Sequence, residues 1–426
     1  MYGQERPYSA RDRRDCALTS RDTIGVAMAE PFSPSSGRRR PKLLFLVTED
    51  WYFCSHRLPV ARAARDAGFD VVVATRVQDH GARILAEGLT LRPLAWRRRG
   101  DGIAGSVRAI AAIARLYRSE RPDILHHVAL KPVLFGSLAR AFAFGYGCDA
   151  PAVIDAVMGL GSAFSATSIA ARLRRLALGL VLRFAVGRRP SQVIVQNPED
   201  GAALSALGVE RSRISLIGGS GVDVQHFAPL PMPKGNPVII ALVSRMLRDK
   251  GVLDAVAAIR RLRQRNLPIE LVLAGPPDPD NSGSLSEAEL LSLAAEPGVT
   301  WLGAVEDVRE IWQRAAIAVL PSTYGEGVPK ALLEAAACAR PIIASDVPGC
   351  REVVRTENNA SGILVPPRDL VALTEAIAAL AADPGRCEEM GNNGRILVET
   401  RFAEGIVARE TLSLYHIALA ERAVSR

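Results

Sequence analysis

Two glutamates, Glu326 and Glu334, have the residue type and spacing that most directly indicate chemistry in this sequence. Glu326 lies in a glycine-containing turn, and Glu334 lies on a helix that we predict to begin near Pro329. An ionised carboxylate only accepts hydrogen bonds, so it suits the neighbouring hydroxyls of a ribose or a hexose. A glycine-rich turn that leads into a helix presents backbone N–H groups to an anion. The segment 321–354 therefore predicts a nucleotide-sugar site.

A basic loop at residues 244–251, SRMLRDKG, supplies the second set of candidate side chains. Arg245 and Lys250 precede a helix predicted to start near Val252, and two cations at a helix N-terminus can bind a diphosphate. When a sugar–phosphate bond breaks, fixed cations stabilise the charge on the leaving phosphate without a metal. Alone, the loop would be interpreted as a solvated basic turn, but the two glutamates later in the chain favour a diphosphate site.

These two segments resemble the donor-site signature of the retaining, two-domain glycosyltransferases of family 4. The resemblance lies in YGEGVP, ALLEAAA and DVPG within residues 321–354, and in the S-R-(x4)-K-G pattern of residues 244–251. It implies the GT-B fold, in which two Rossmann-like, doubly wound α/β domains face each other across a cleft. It also implies that Glu334 binds the ribose and that Glu326 faces the donor sugar.

The resemblance assigns further roles residue by residue. The implied catalytic residues are Arg245, Lys250, Glu326 and His127. The implied donor-binding residues are Glu334, Gly327, Val328 and Lys330, the last three through backbone N–H groups. Pro329 has no N–H and cannot donate. Residues 301–307, WLGAVED, resemble a base-contacting loop whose contacts are largely main chain, so the identity of the base stays open.

The first half of the chain is expected to bind the acceptor. Residues 48–59, which we interpret as a polar loop that enters a helix near Leu58, hold no glycine and offer His56 and Arg57 in the motif SHRLP. This motif resembles a branch of bacterial surface-polysaccharide enzymes, as do residues 126–139 and 155–164. The resemblance therefore implies that His56 and Arg57 contact the acceptor.

Two histidines and a lysine complete the expected acceptor side. His126 and His127 end a predicted strand at the cleft, where many family members carry H-x-H and this chain has His-His-Val. One of them is expected to face the reacting sugar; which one is open, and a structural histidine explains either equally well. Lys131 is placed to meet an acceptor phosphate, with a solvated lysine as the alternative.

Length and composition indicate a globular protein of two domains. The 426 residues are 48% hydrophobic and 23% charged, and two domains of roughly 200 residues fit this length. The six cysteines form no C-x-x-C pair, which favours a reducing compartment and argues against a zinc or disulfide framework. We divide the chain into a disordered basic tail (1–41), an acceptor domain (42–228), a linker (229–237), a nucleotide-sugar domain (238–405) and a final helix (406–426) expected to pack back toward the first domain.

Apolar runs that alternate with amphipathic segments predict parallel β-α units in both halves. In the first half the predicted strands are residues 42–47, 71–75, 122–126, 152–156 and 192–196. In the second half they are residues 238–243, 269–274, 299–302, 318–320 and 341–344. Residues 217–237 are rich in Gly and Pro and predict the connection between the halves. Open α/β sheets bind ligands at the carboxyl ends of their strands, which predicts one cleft between the two domains.

The net charge of +8 favours anionic partners. Aromatic residues make up only 5% of the chain and form no platform with basic residues, so we expect no nucleic acid partner. The basic segment 172–189 and the arginine cluster 97–99 fit an anionic membrane surface, although an ordinary sheet-covering helix explains 172–189 equally well. Because no apolar stretch predicts a membrane span or a signal peptide, we expect a cytoplasmic protein, peripheral at the inner face of the cell membrane.

A possible metal motif is weaker than the cation pair. Asp278 and Asp280 fit the spacing of a D-x-D metal motif, but the surrounding prolines and glycines favour a plain loop. Arg245 and Lys250 already supply the positive charge that a metal would bring. We therefore expect neither a metal nor a cofactor.

Together these features predict a glycosyltransferase of polysaccharide biosynthesis. It would move a hexosyl or N-acetylhexosaminyl group from a nucleotide sugar, by preference a UDP-sugar, to a lipid-linked glycan of the undecaprenyl type. The resemblance implies retention of anomeric configuration, and the lack of a placed pair of nucleophilic carboxylates favours front-face displacement. The alternatives are a nucleotide-sugar 2-epimerase of the same fold and a non-catalytic scaffold at the membrane surface.

Overall fold

The computed structural model of the chain describes residues 39–96, 102–145, 150–159, 191–325 and 327–425. They form two α/β units, each built on one sheet whose strands are all parallel. Crossover helices cover such sheets on both faces, so their strands read as continuous apolar runs rather than as alternating ones. The first strand, with the sequence KLLFLVTE, has five consecutive buried residues for this reason.

The first sheet has seven strands in the order β3-β2-β1-β4-β5-β6-β7. The strands are β1 (Lys42–Glu49), β2 (Asp70–Arg76), β3 (Thr90–Pro93), β4 (Ile124–Val128), β5 (Ala152–Ala156), β6 (Ser191–Val195) and β7 (Ile214–Leu216). The described helices of this unit are α1 (Asp50–His56), α2 (Leu58–Asp66), α3 (Gly81–Ala86), α4 (Gly102–Glu120), α5 (Leu130–Phe144) and α6 (Pro198–Ala206).

The second sheet has six strands in the order β10-β9-β8-β11-β12-β13. The strands are β8 (Val238–Val243), β9 (Ile269–Ala274), β10 (Val299–Trp301), β11 (Ile317–Leu320), β12 (Ile342–Ser345) and β13 (Gly362–Val365). The helices that follow β8 in the chain are α7 (Val252–Gln264), α8 (Glu287–Ala294), α9 (Arg309–Arg314), α10 (Lys330–Ala337), α11 (Pro348–Val353), α12 (Leu370–Ala381), α13 (Pro384–Arg401) and α14 (Glu404–Ser425).

The last helix, α14, lies on the first unit although it follows the second in sequence. Val407, Leu414 and Tyr415 are buried in the same core as Phe45 and Phe69. The rings of Tyr415 and Phe69 meet edge to face with centroids 5.9 Å apart. The core of the first unit is therefore completed by the C-terminal end of the chain.

The connection between the sheets packs on the second unit. Val222 and Phe227 belong to the core that contains Trp312 of the second unit, and the N–H of Val222 donates to the carbonyl of Phe402 at 2.9 Å. The cores thus assign residues from about Val222 onward to the second unit, whereas the sequence boundary was set at residues 228–229. This difference has a physical cause, because core packing rather than glycine and proline content decides the boundary.

The structure also differs from the sequence analysis in its shorter elements. The polar loop predicted before Leu58 is wrong, because Asp50–His56 form the short helix α1, whereas the helix predicted to begin near Leu58 is confirmed as α2. The carboxylate of Asp50, in the first turn of α1, accepts the N–H groups of Gln78 and His80 at 2.7 and 2.9 Å, so distant residues hold this short helix in place. The three-to-four-residue strands β3, β7 and β13 were not predicted.

Several predictions concern residues outside the described ranges. They are most of the basic tail, the arginine cluster 97–99, the basic segment 172–189 and Glu326. Among the helices that the structure does describe, none combines the length and the apolar character needed to cross a membrane.

Candidate functional site

Two loops at the carboxyl edge of the second sheet bring the predicted cations beside the segment that contains the glutamates. The N–H of Thr323, after β11, donates to the carbonyl of Asp249, after β8, at 2.9 Å. Gly251 has φ of +73°, and a Cβ there would overlap the carbonyl of Pro321. Only glycine satisfies both conditions, so Gly251 lets the basic loop lie directly against the segment 321–330.

The predicted base-contacting loop reaches the same edge. The indole Nε1 of Trp301 donates to the carbonyl of Gly275 at 3.0 Å, and the N–H of Gly275 donates to the carbonyl of Gly303 at 2.6 Å. A Cβ on Gly275 would in turn overlap the carbonyl of Ser244, at the start of the basic loop. Three loops, after β8, β9 and β10, are therefore joined by backbone contacts.

Arg245 already has an anionic partner in this structure. Its guanidinium pairs with the carboxylate of Asp278, and its Cζ lies 5.9 Å from the centre of the Trp51 ring in the first unit. A bound diphosphate would have to share this guanidinium with Asp278 or displace that carboxylate. Lys250 ends the 3₁₀ turn Arg248–Lys250, which leads through Gly251 into α7, and it is half-buried.

Glu334 lies on α10 with only 12% of its side chain exposed. Burial raises the pKa of its carboxyl to about 7; the ammonium of Lys330 opposes the shift and Glu404 adds to it. The Nζ of Lys330 lies 3.9 Å from the Glu334 carboxylate and donates to the carbonyl of Ser55, in the first unit, at 2.6 Å. Glu334 can therefore accept hydrogen bonds from hydroxyls as an anion near neutral pH, close to the contact between the two units.

The backbone N–H of Val328 has a partner that the sequence analysis missed. It donates to Oε1 of Gln196, a buried side chain that follows β6 of the first unit, at 3.0 Å. The expectation that this N–H holds a donor phosphate or sugar is therefore not met in this structure, because the group is used in a bond between the units. The sequence signal was a glutamine at the end of a predicted strand, which is too common to be informative alone.

Three of the four predicted acceptor residues lie close together beneath the carboxyl edge of the first sheet. His56 stacks on Tyr52 with ring centroids 4.2 Å apart, and burial, with the charges of Lys330 and Arg57, lowers its pKa to about 3. Arg57 is 1% exposed and its guanidinium contacts the sulfur of Met158.

His126 is the third member of this group. Its Nδ1 lies 2.6 Å from the hydroxyl of Tyr415 on α14, and its side chain is fully buried. Burial first, and then the nearby charge of Arg57, lower the pKa of His126 well below its usual range. His56 and His126 are therefore both neutral near pH 7, and Arg57 supplies the positive charge of this group of three residues.

The structure contradicts the catalytic assignment of His127. Its ring is fully buried, with Nδ1 2.7 Å from the carboxylate of Asp155 and Nε2 3.0 Å from the hydroxyl of Tyr117. Successive strand residues point to opposite faces, so His127 faces the layer under α4 and α5 while His126 faces the layer under α14. His127 is a core histidine with both ring nitrogens hydrogen-bonded.

Lys131 also lies apart from the other predicted acceptor residues. Its Nζ is 5.7 Å from the centre of the Trp96 ring and 5.1 Å from that of Phe135, on the same layer as His127. The structure therefore does not bring Lys131 to the group formed by His56, Arg57 and His126. Both rings lie within the range of a cation–π contact with its ammonium group.

The D-x-D pair has partners of its own. Asp278 pairs with Arg245, and the Asp280 carboxylate lies 3.5 Å from the guanidinium of Arg76 in the first unit. Within the described ranges no three His, Cys, Asp or Glu side chains are grouped as a metal site would require. The site as described thus offers cations and a carboxylate whose pKa is raised to about 7, which suit an anionic, hydroxyl-bearing ligand.

Family models match both units of the chain. A model described as "Glycosyl transferases group 1" matches residues 237–383, and one described as "Glycosyl transferase 4-like" matches residues 42–160. Together they span the basic loop, the segment with the glutamates and the SHRLP motif.

Two curated proteins are similar to the chain, one over most of its length and one over about half of it. The chain is 25% identical over 371 residues to the N,N'-diacetylbacillosaminyl-diphospho-undecaprenol alpha-1,3-N-acetylgalactosaminyltransferase of Campylobacter jejuni, covering 84% of this chain and 94% of that protein. It is 37% identical over 206 residues to the alpha-maltose-1-phosphate synthase of Mycolicibacterium smegmatis, covering 46% of this chain and 51% of that protein.

Solved structures share the fold. Sucrose-phosphate synthase from Thermosynechococcus elongatus superposes with a TM-score of 0.72 at 24% identity, covering 90% of this chain and all of that one. Anabaena HepE, in a complex with UDP and glucose, superposes with a TM-score of 0.69 at 18% identity, covering 88% of this chain and all of that one. The two-domain α/β architecture predicted from the sequence is confirmed.

Proposed function

We propose that this chain, which belongs to the group 1, family 4-like glycosyltransferases, transfers a sugar from a UDP-sugar to a lipid-linked glycan with retention of anomeric configuration. The observation that carries this proposal is the junction of the basic loop with the segment 321–334 at one sheet edge. Arg245 and Lys250 lie on the loop that contacts the start of this segment, and Glu334, whose side chain is 12% exposed, lies on the helix that follows in the same segment. The UDP bound by HepE and the diphospho-undecaprenol in the name of the Campylobacter relative support the donor and acceptor classes.

In the proposed reaction, the acceptor hydroxyl attacks the anomeric carbon as the bond from that carbon to the β-phosphate oxygen breaks on the same face. The acceptor proton passes to the leaving phosphate oxygen, so charge on the diphosphate is largest as the bond breaks. Arg245 and Lys250 stabilise that charge, and Asp278 releases or shares its guanidinium partner when the donor enters. Glu334 accepts hydrogen bonds from the ribose hydroxyls.

The acceptor would enter from the first unit, where the partly exposed His56 lies near the buried charge of Arg57. A lipid-linked acceptor of the undecaprenyl type would place the enzyme at the inner face of the cell membrane. The positive net charge of the chain supports that placement, because anionic lipids attract basic proteins.

The test is thermal stabilisation and turnover with a panel of UDP-, GDP-, ADP- and dTDP-sugars, with and without EDTA. A ligand that binds only the folded state raises the melting temperature by mass action. We expect UDP-sugars to raise the melting temperature and EDTA to leave it unchanged. With a lipid-linked acceptor, the protein should release UDP and form a linkage of the same anomeric configuration, α or β, as the donor. Conversion of the UDP-sugar to its epimer without acceptor would instead favour a 2-epimerase, and no shift with any donor would contradict the proposal.

A further inference from the structure

The side chain of Gln196 reaches from the first unit into the donor-side turn of the second. Gln196 follows β6 at the carboxyl edge of its sheet, and its Oε1 accepts the N–H of Val328 at 3.0 Å. Pro329 has no N–H, so Val328 offers the last backbone donor before Lys330. One carboxamide of the first unit therefore holds the peptide that leads directly into α10.

The neighbouring glycine leaves room for this side chain. A Cβ built on Gly327 would overlap Oε1 of Gln196 and would lie 3.2 Å from its Cδ. The same Cβ would lie 3.9 Å from the backbone nitrogen of Gly159, which belongs to the first unit. Gln196 thus occupies a narrow space that exists because position 327 carries no side chain.

The segment that carries Gln196 is firmly anchored. Asn197, directly after it, accepts the N–H of Asp200 at 2.7 Å and so caps α6. The carboxylate of Asp200 accepts from the side-chain amide of Asn197 at 2.9 Å and from the N–H of Gly159 at 3.2 Å. Asn197 and Asp200 are both buried, so the backbone of Gln196 has little freedom to adjust.

We propose that Gln196 is a positioning residue that aligns the donor-side turn with the acceptor unit when the cleft is closed. Its bond to Val328 can form only while the two units are in contact, so it makes the geometry of the turn depend on closure. Gln196 need not contact the sugar or the phosphate for this role. The inference rests on the proposed glycosyl transfer and adds a residue that couples the two units.

The kinetic test compares Gln196→Leu, which keeps the approximate side-chain size and removes the acceptor, with Gln192→Leu. Gln192 lies on β6 as well, and its Nε2 donates to Glu421 at 3.3 Å, on the side covered by α14. We expect kcat of Gln196→Leu to fall about tenfold, as the loss of one aligned hydrogen bond predicts, while the Kd for UDP changes less than about twofold. Gln192→Leu should retain kcat.

A double-mutant cycle tests the same contact from the other side. Gly327→Ala should displace the carboxamide and lower kcat by a similar factor, and the double variant should be no slower than the slower single variant. Losses that multiply in the double variant would overturn the inference, as would wild-type kcat in Gln196→Leu. A larger UDP Kd with unchanged kcat would also overturn it, because Gln196 would then serve donor binding rather than alignment.

Hydrogen exchange separates this inference from the proposed function, because it requires no turnover. The amide of Val328 should exchange slowly in the wild type and faster in Gln196→Leu, in a peptide that spans residues 325–332. Equal exchange in the two proteins would contradict the bond itself. If the wild type turns over no nucleotide sugar, the proposed function fails and the coupling role fails with it, even where the exchange result shows that the bond exists.

Discussion

Arg245 and Lys250 are the residues on which the proposed chemistry depends most. Because charge on the diphosphate is greatest as the glycosidic bond breaks, losing either cation removes stabilisation that acts mainly in the transition state. We expect Arg245→Ala and Lys250→Ala to lower kcat by about 10²- to 10³-fold, which corresponds to about 3–4 kcal/mol. Steady-state kinetics with the best donor and a melting curve of each variant measure the two effects separately.

Arg248 provides the matched control for this pair. It lies in the same loop, but its guanidinium pairs with Glu289 where both side chains are nearly half exposed. Exposed pairs of this kind contribute little, so Arg248→Ala should keep both kcat and the melting temperature. Near-wild-type kcat in both Arg245→Ala and Lys250→Ala would refute their assignment.

Glu334 predicts a pH dependence of nucleotide binding. Burial raises the pKa of its carboxyl from 4.5 to about 7, so the folded protein favours the protonated form. By linkage, this contribution to stability is complete below about pH 4.5 and is lost as the pH rises through about 7. Ribose hydroxyls favour the ionised form, so binding of UDP should tighten by up to about tenfold between pH 6 and pH 8.

Titration calorimetry at several pH values measures this effect. UDP itself titrates in the same range, and Glu334→Gln isolates the contribution of the protein because it keeps the shape of the side chain but does not ionise. The Kd for UDP should depend less on pH in Glu334→Gln than in the wild type, because the variant lacks the ionisation of Glu334. At pH 6.5 the wild type should also release more protons than the variant when UDP binds. Identical pH profiles in the two proteins would show that Glu334 does not titrate at the site.

The two adjacent histidines show what the sequence can predict about single residues. Strand alternation requires His126 and His127 to face opposite layers, and that much follows from sequence. It does not say which layer borders the cleft, because the partners Tyr117, Asp155 and Tyr415 lie 10, 28 and 289 positions from the histidines that they contact. Tyr415 is 289 positions from His126, so no local pattern indicates their contact.

At the scale of elements, the connection between the sheets is held by arginines rather than by its own sequence. Arg340, which is fully buried, donates from Nε to the carbonyl of Trp312 at 2.7 Å and from its other nitrogens to the carbonyls of Leu230 at 3.3 Å and Pro231 at 2.8 Å. Arg395 donates to the carbonyls of Val224 and Phe227 at 2.9 and 2.6 Å. The Gly- and Pro-rich segment is therefore fixed to the second unit over much of its length.

Replacing Arg340 should destabilise the second unit. Arg340→Ala removes a fully buried side chain and leaves three carbonyls without their donor, and we expect a loss of about 3 kcal/mol in the free energy of unfolding. Urea unfolding followed by circular dichroism measures it. Arg265→Ala is the control, because Arg265 pairs with Glu375 on the exposed surface and should change stability by less than about 0.5 kcal/mol. Equal effects of the two substitutions would contradict the anchoring role of Arg340.

The elements that the sequence predicted well are those with long apolar runs. The strands Val238–Val243, Ile269–Ala274 and Ala152–Ala156 match the predicted bounds at both ends, because a buried parallel strand is apolar over most of its length. The short strands β3, β7 and β13 and the helix α1 were missed because partners distant in sequence, not local propensity, define them. For the same reason the contact between Gln196 and Val328 could not be predicted.

At the scale of the whole molecule, α14 makes the two units depend on each other. It continues from the second unit at Ala403, yet Tyr415 is fully buried in the core of the first unit and hydrogen-bonds His126. Unfolding of the first unit would therefore detach α14 from the core in which it is buried. Unfolding of the second unit would remove the structure from which α14 begins. We expect a single cooperative unfolding transition for both units in differential scanning calorimetry.

Tyr415→Ala tests this coupling, because it removes a large buried ring from the contact between α14 and the first unit. We expect a loss of about 3–5 kcal/mol, a typical cost of deleting a buried aromatic ring, seen as a lower melting temperature of one undivided transition. Val424→Ala, at an exposed position of the same helix, should leave that transition unchanged. UDP should raise the whole transition, since its binding to the second unit would stabilise everything that unfolds with it. Two separate transitions, of which Tyr415→Ala shifts one and UDP the other, would show that the units fold independently despite their shared helix.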